Sequence, residues 1–294
     1  MREQNLRRGI LLMVATTFVF SVQDGISRHL AGTYNVWMIT MVRYWFFAVF
    51  VIALAARRPG GLRAAARSEV PLLQIFRSVL LVAEVWVMVL AFVALGLVEA
   101  HAVFACYPLL VAALSGPVLG ETVGWRRWGA IAIGFVGVMV ILEPGIGVFN
   151  PAAIIPLCSA LMFALYSLLT RYVGRRDSAA TSFFWTGTWG AVVATLGGFW
   201  AWQPMSLGDW GWMGLLCLFA CLAHYLLIAA YEAAEASAIQ PFAYLQLVFA
   251  SMFGMAIFGD TLRPNVALGA AIVVCAGLFT LWRERRRKIV GGSA

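Results

Sequence analysis

What most narrows the possible folds of this chain is that its apolar residues come in ten runs of about 20, the length at which a helix crosses a hydrocarbon core of roughly 30 Å. The runs cover residues 10–31, 36–56, 71–95, 98–119, 125–142, 152–172, 180–201, 208–233, 237–258 and 265–282. What remains between them makes only short connections, so no soluble domain fits. In lipid an unpaired backbone N–H or C=O is too costly to leave, and a helix pairs both within its own run. The expected fold is therefore an all-α polytopic membrane protein with ten transmembrane helices. Composition agrees: 63% of the 294 residues are hydrophobic and 12% charged, with a mean hydropathy of +0.89. That is more apolar surface than a water-soluble fold can bury. The first run follows Arg7-Arg8 but is too long for a signal peptide, carries Gln23 and Asp24, and lacks a small-residue cleavage site. It is expected to stay as a helix.

The net charge of +8 raises nucleic acid as a partner, but the distribution of charge argues against it. If the runs alternate in direction, 17 of the 21 Lys and Arg fall on one side. They are Arg2, Arg7 and Arg8, then Arg57, Arg58, Arg63 and Arg67, then Arg126 and Arg127, then Arg171, Arg175 and Arg176, and finally the tail at 283–288. The other side has only Arg28 and Arg263, at run ends. This is the positive-inside pattern, and it predicts both termini in the cytoplasm with the basic tail near anionic lipid headgroups. Eight tryptophans (Trp37, Trp125, Trp128, Trp200, Trp202, Trp210, Trp212 and Trp282) sit near run ends, as indoles do at a membrane interface. The five cysteines all lie inside runs, out of position for an extracellular disulfide framework. Cys217 and Cys221 share a helix face but have no His or carboxylate at ligand spacing, so no metal is expected.

The runs are organised as a repeat. From Ala91 to Leu142 an apolar stretch passes through Pro108 to Gly120-Glu121-Thr122, then to a helix bearing Gly129, Gly134 and Gly137. From Ala230 to Leu281 the order recurs through Pro241, Gly259-Asp260-Thr261, Gly269 and Gly277. The two triplets stand 139 residues apart. Run 1 aligns with run 6 at an offset of 143, placing Ser27-Arg28 over Thr170-Arg171. The expected halves are 1–145 and 146–294, each of five spans. Five is odd, so the second half enters the membrane from the opposite face. Such inverted repeats are a transporter plan, with the substrate site near the midplane where the halves meet.

Two five-span halves, each ending in Pro…Gly-(Glu/Asp)-Thr…Gly…Gly, resemble the drug/metabolite transporter superfamily of EamA type, and are most similar to its YddG-like amino-acid exporters. The resemblance covers nearly the whole chain. It implies a ten-helix inverted repeat with a central cavity lined by spans 1, 3, 4, 6, 8 and 9, and spans 5 and 10 as peripheral supports. It also implies a bacterial inner membrane. Two features depart from the pattern. Asp260 stands where Glu is usual, and Leu247 occupies the position matching Pro108. A kink in span 9 is then expected nearer its start, at Pro241.

Ionisable residues inside apolar helices face partners or water. Asp24 and Arg43 lie at similar depths from one face, which predicts an ion pair. Arg77 and Glu84 are two turns apart on one face of span 3. Arg77 is near enough to the cytoplasmic end to snorkel, whereas Glu84 is not, and reads either as a hydrogen-bonded buried carboxyl or as a cavity residue. His224 aligns with Glu84 within one position of the repeat. Gln23 aligns with Tyr166, Asp24 with Ser167, His101 with Gln240, and Tyr107 with Gln246. Polar groups recurring at equivalent depths predict a shared wet cavity, with interhelical hydrogen bonding as the plain alternative. With Tyr244, these residues form the candidate substrate site: Gln23, Glu84, His101, Tyr107, Tyr166, Ser167, His224, Gln240, Tyr244 and Gln246. Asp24, Arg43, Glu84 and His224 are the candidates for coupling or gating. Trp86, Trp185, Trp189 and Tyr231 add aromatic surface suited to amphipathic organic substrates. Gly120, Glu121, Gly259 and Asp260 mark the repeat, each carboxylate read as capping the next helix.

No phosphate-binding loop, dinucleotide turn, HExxH or nucleophile elbow occurs. The expected function is secondary transport by alternating access, without a cofactor, exporting small organic metabolites and most directly amino acids, including aromatic ones. Its partners are that substrate and membrane lipid, with proton coupling open and no nucleic acid. Export of organic cations or drugs is the alternative within transport. An intramembrane lipid-modifying enzyme using Glu84, His101 and His224, or a non-transporting scaffold, are the alternatives outside it.

Overall fold

The computed structural model describes residues 6–120, 124–142, 152, 154–233 and 239–291. Each expected run is helical where described, apart from a turn at Ala105-Cys106 in the fourth. In chain order the helices are α1 (Leu6–Ala31), α2 (Val36–Ala56), α3 (Gly61–Ala66), α4 (Pro71–Phe104), α5 (Tyr107–Leu119), α6 (Trp125–Leu142), α7 (Ile154–Val173), α8 (Ala179–Gly198), α9 (Leu207–Ala233), α10 (Leu245–Phe258) and α11 (Pro264–Gly291). Five of them are individually long and apolar enough to cross a membrane, α1, α2, α4, α7 and α9. Shorter apolar helices and α8 complete ten spans. The short α3 lies in the basic connection, and α11 runs on to Gly291, past the expected end of its span.

Local chemistry sets several boundaries. The Asn35 side chain accepts from Met38 N–H at 2.9 Å and starts α2. Ser178 does the same for α8, accepting from Thr181 N–H at 3.1 Å. Both satisfy a backbone donor that a first helical turn leaves free. α5 and α10 end on Gly120 (φ +72°) and Gly259 (φ +68°), the left-handed termini that the two triplets supply.

Packing shows the pseudo-symmetry. The closest helix pairs are α1 with α9, α4 with α7, α2 with α8, and α6 with α11, followed by α5 with α7, α4 with α8 and α1 with α10. Exchanging the halves turns α1–α9 into α7–α4 and α1–α10 into α7–α5, and returns α2–α8 and α6–α11 to themselves. All of these contacts cross between halves. The fold is thus a 5+5 inverted-topology helical repeat. In the α6–α11 pair, a methyl built on Gly137 would lie 2.8 Å from the Gly269 carbonyl oxygen, and one on Gly269 would lie 2.5 Å from that of Gly137. Only glycine lets these backbones approach so closely.

Spans 3 and 4 are one helix with a sharp turn. Gly96 has φ 81° and ψ 173°, a conformation open in practice only to glycine, and residues 97–104 set off from it in a new direction. Span 4 breaks again at Ala105-Cys106, ahead of Pro108. Span 9 breaks at the equivalent depth: a 3-10 segment, Gln240–Tyr244, hands over to α10 at Leu245. The expected kink near the start of the span is present. The tight turn starts there, but the change of helix falls at Tyr244-Leu245, matching Ala105-Cys106 at the repeat offset. Absence of a proline at Leu247 does not move it, because the 3-10 segment provides the change of pitch.

The eight predicted interfacial tryptophans are all exposed, as side chains in a lipid headgroup zone are. Cys106, Cys217 and Cys221 are buried, and Cys158 and Cys275 face outward.

Candidate functional site

Asp24 sits on α1, 9% exposed. The expected Asp24–Arg43 pair is not formed. Instead, Asp24 Oδ2 lies 3.0 Å from His101 Nε2 and accepts from Gln246 Nε2 at 3.1 Å. Its Oδ1 accepts from Gln23 Nε2 at 3.3 Å. The Gly96 turn is what brings His101 in. It restarts the helix so that His101, 3% exposed, points at α1, with Nδ1 3.0 Å from the Leu97 carbonyl one turn back. Depth along the chain had matched Asp24 to Arg43; the redirected helix supplies a nearer partner. His101, Phe104, Tyr107, Pro108, Tyr244 and Gln246 line a pocket at the two helix breaks. Its volume is about 20 Å³, room for little more than one water.

Arg43 on α2 is 8% exposed and makes no hydrogen bond or ion pair among the described residues. Its charge bears on Glu84 of α4 and on Cys221 and His224 of α9. Glu84, 5% exposed, accepts from the Ser159 hydroxyl of α7 at 2.7 Å. His224 lies between two aromatic rings, stacked on Phe47 at 5.5 Å and edge-on to Phe20 at 5.4 Å. A second aromatic run links Phe104, Tyr107, Phe163 and Tyr166 with centroids 5.0–6.0 Å apart. Phe20 and Phe163 are symmetry partners on α1 and α7. Both are partly open although they point into the bundle.

Arg77 does not snorkel. It is 1% exposed and bonds inward, to Tyr166 and Thr170 at 3.1 Å, the Gln74 amide oxygen at 2.9 Å, and the Ser182 carbonyl and Thr186 hydroxyl at 2.7 Å. Gln74 in turn donates to Asp177 at 2.8 Å. The guanidinium fork finds more acceptors between α4, α7 and α8 than it would at the interface. Arg77 therefore ties these helices together and orients the Tyr166 hydroxyl.

Asp260 caps a different helix from the one expected. It accepts from Leu97 N–H at 2.8 Å, at the start of span 4, and pairs with Arg28 at 2.7 Å. Arg263 pairs with Glu99 at 2.8 Å beside it. Span 4 has the free N–H groups because Gly96 breaks the helix there, whereas the start of α11 already has Pro264. These two pairs bind the end of α1, the start of span 4 and the turn after α10. Glu121 and the Gln240 and Tyr231 side chains lie outside the described residues. Ser167 bonds to its own helix, at the Phe163 carbonyl, 2.8 Å away. Trp86 packs on Trp37 at 4.4 Å, and Trp185 donates to the Ala66 carbonyl at 3.2 Å and stacks with Trp189. Trp86 and Trp185 thus pack between helices, and Trp189 stacks within α8.

The candidate residues thus divide. Gln23, Asp24, His101 and Gln246 form one network, with Tyr107 and Tyr244 beside it at the pocket. Glu84, Arg43, His224 and Tyr166 lie on the inner faces of α4, α2, α9 and α7. Sequence reasoning missed Ser159, the partner of Glu84, and the Phe20–Phe163 pair as lining. The alignment of Phe20 with Phe163 was visible in the repeat, but nothing in a serine within an apolar run marks it as a carboxylate's partner. Among the described residues no three His, Cys, Asp or Glu gather into a metal site.

Comparison with known proteins agrees with this architecture. The EamA-like transporter family matches residues 7–143 and again 150–282. The chain is 28% identical over 287 residues to a riboflavin transporter of Vibrio cholerae, covering 96% of this chain and 95% of that one. It is 31% identical over 287 residues to a riboflavin transporter of Rhizobium johnstonii, covering 95% and 93%. An S-adenosylmethionine uptake transporter of Rickettsia prowazekii is 22% identical over 278 residues, covering 95% and 94%. A solved crystal structure superposes with a TM-score of 0.66 at 16% identity, over 96% of this chain and all of that one, a likeness of fold. None of these relatives is named for amino acids or for an enzymatic activity. With both halves matched and the helices arranged as their exchange requires, this multi-pass membrane protein belongs to the EamA-like transporter family of small-metabolite carriers.

Proposed function

We propose that this transporter carries a planar, acceptor-rich heterocyclic metabolite of the riboflavin class across a bacterial inner membrane by alternating access. The observation that carries the reading is Arg43: a buried guanidinium with no hydrogen bond or ion pair among the described residues, whose charge bears on Glu84 and on His224, the latter set between Phe20 and Phe47. Aromatic faces suit a flat ring system. A free guanidinium fork supplies several N–H donors to ring carbonyls and nitrogens. The names of the relatives from Vibrio cholerae and Rhizobium johnstonii support the same class. Amino-acid export draws no comparable support from the relatives. Glu84 favours a second reading, a cationic metabolite such as a sulfonium, in line with the Rickettsia relative's name. The clustering of Lys and Arg supports cytoplasmic termini. The Arg28–Asp260 and Arg263–Glu99 pairs then stand at the outer face.

The test is uptake and counterflow of radiolabelled riboflavin in proteoliposomes, with unlabelled riboflavin, S-adenosylmethionine and amino acids as competitors. Saturable riboflavin exchange, unaffected by amino acids, is expected. Arg43→Gln should raise the KM by roughly ten- to a hundredfold, the loss of one buried charge-assisted hydrogen bond of about 1.5–3 kcal/mol. Exchange of amino acids in place of riboflavin would restore the export reading, and competition by S-adenosylmethionine alone would favour the cation.

A further inference from the structure

We propose that Asp24 and His101 form the binding site for a coupling proton, held between them while the face at the end of α1 is closed. The proposal deepens the carrier reading and takes from it only the choice of riboflavin as first probe. His101 Nδ1 lies 3.0 Å from the Leu97 carbonyl, which only accepts, so Nδ1 carries a hydrogen. His101 Nε2 lies 3.0 Å from Asp24 Oδ2. Two bare lone pairs do not settle at that distance, so a second hydrogen stands between them. The pair therefore holds one dissociable proton, on either atom. Gln23 and Gln246 both donate to Asp24, which favours the carboxylate and places the proton on the imidazole.

The surroundings separate this pair from a sealed structural ion pair. His101 and Gln246 stand on the wall of the pocket at the two helix breaks, and that pocket admits water, which can bring or remove a proton. Asp24 is on α1, His101 on the stretch of α4 after Gly96, and Gln246 on α10, so the network crosses between halves. The break at 105–106 is one turn from His101, and α10 begins one residue before Gln246. Losing the proton would leave a buried carboxylate facing an imidazole lone pair, a strongly unfavourable arrangement. The three elements would then separate where span 4 and span 9 are already jointed. Arg28–Asp260 lies one turn further along α1, and Glu99–Arg263 beside it. Glu84, whose carboxyl feels the charge of Asp24, and Arg77 on α4, Arg43 on α2, Tyr107 on α5, Tyr166 on α7, His224 on α9 and Tyr244 in the 3-10 segment are further ionisable groups on the surrounding elements. Among the described residues, Glu84, Arg43, His224 and Tyr244 make no bond to Asp24 or His101. The step is simple protonation: Nε2 gains a proton from water on one face and loses it to water on the other, with no other bond made or broken.

The experiment uses the full chain in proteoliposomes containing a trapped pH dye, and the same protein in nanodiscs for ¹⁵N-histidine NMR. The chain has three histidines, so His101 is assigned from a His101→Gln sample. One proton per substrate predicts about tenfold riboflavin accumulation for each pH unit of gradient, since 1.4 kcal/mol is a factor of ten, together with riboflavin-dependent proton entry. In Asp24→Asn and in His101→Gln the accumulation ratio should fall to about one. His101 should be doubly protonated in wild type and become singly protonated in Asp24→Asn. Riboflavin exchange without accumulation under a gradient would overturn the proton site and leave the substrate reading intact. So would a His101 that is singly protonated beside an unaltered Asp24. If riboflavin does not move but S-adenosylmethionine or an amino acid drives proton entry that Asp24→Asn abolishes, the substrate reading fails and the proton site stands. Proton entry undiminished in both variants overturns the site.

Discussion

Asp177 shows how residues in this protein are committed to one another rather than to solvent. It lies between α7 and α8, nine-tenths buried. Burial pushes its carboxyl upward, but hydrogen bonds from Ser68, Gln74 and the Glu69 N–H, with the charge of Arg77, outweigh that and hold it below its ordinary value. A carboxyl lowered in the folded state adds stability that is complete above its unfolded value and is lost as pH falls through the folded one. The melting temperature in detergent should therefore begin to drop near the ordinary value of 3.8 and continue below it. Asp177→Asn should flatten that part of the profile; a profile identical to wild type would show that Asp177 does not hold this end of α8. The same logic explains why Arg77 was misread. A snorkelling arginine and one bound by five acceptors look alike in a sequence, because four of the acceptors come from α7 and α8, about a hundred residues away.

Among the helices, the decisive joint is Gly96. A methyl there would meet the Asp260 carboxylate at 2.7 Å and force a side chain into φ 81°. Gly96→Ala should destabilise the protein by about 1–3 kcal/mol, the usual cost of a residue held in such a conformation, and should weaken the Arg28–Asp260 contact. Thermal unfolding of Gly96→Ala, of Asp260→Ser and of the double variant checks it. Asp260→Ser alone removes the Leu97 cap and the Arg28 pair, so if the collision contributes, the double variant should lose less than the sum of the two single losses; an additive loss would place the whole effect in the backbone. The span 3 to span 4 passage could be read in sequence as two apolar runs parted by a glycine. The redirection that turns His101 toward α1 could not, since it depends on what Asp260 binds from the other half.

For the whole molecule, the paired contacts describe two halves related by inversion, and the charge pattern predicts their orientation. If both termini are cytoplasmic, Arg63→Cys in a cysteine-free background should react with an impermeant thiol reagent only after cells are opened, and Gln203→Cys should react in intact cells. The reverse pattern would invert the topology and exchange the faces at which the ion pairs stand. The ten spans, the repeat, the family and the outward placement of the eight tryptophans were legible in the sequence by itself. These follow from local properties: run length, residue period and the affinity of each side chain for lipid or headgroup. Tertiary structure alone decided that Asp24 meets His101 rather than Arg43, that Asp260 caps span 4, that Arg77 is buried and that Ser159 serves Glu84. Each is a contact between residues 75 or more positions apart. Depth in the membrane can be counted along one helix, but the rotation that aims a side chain is set by the helices packed against it.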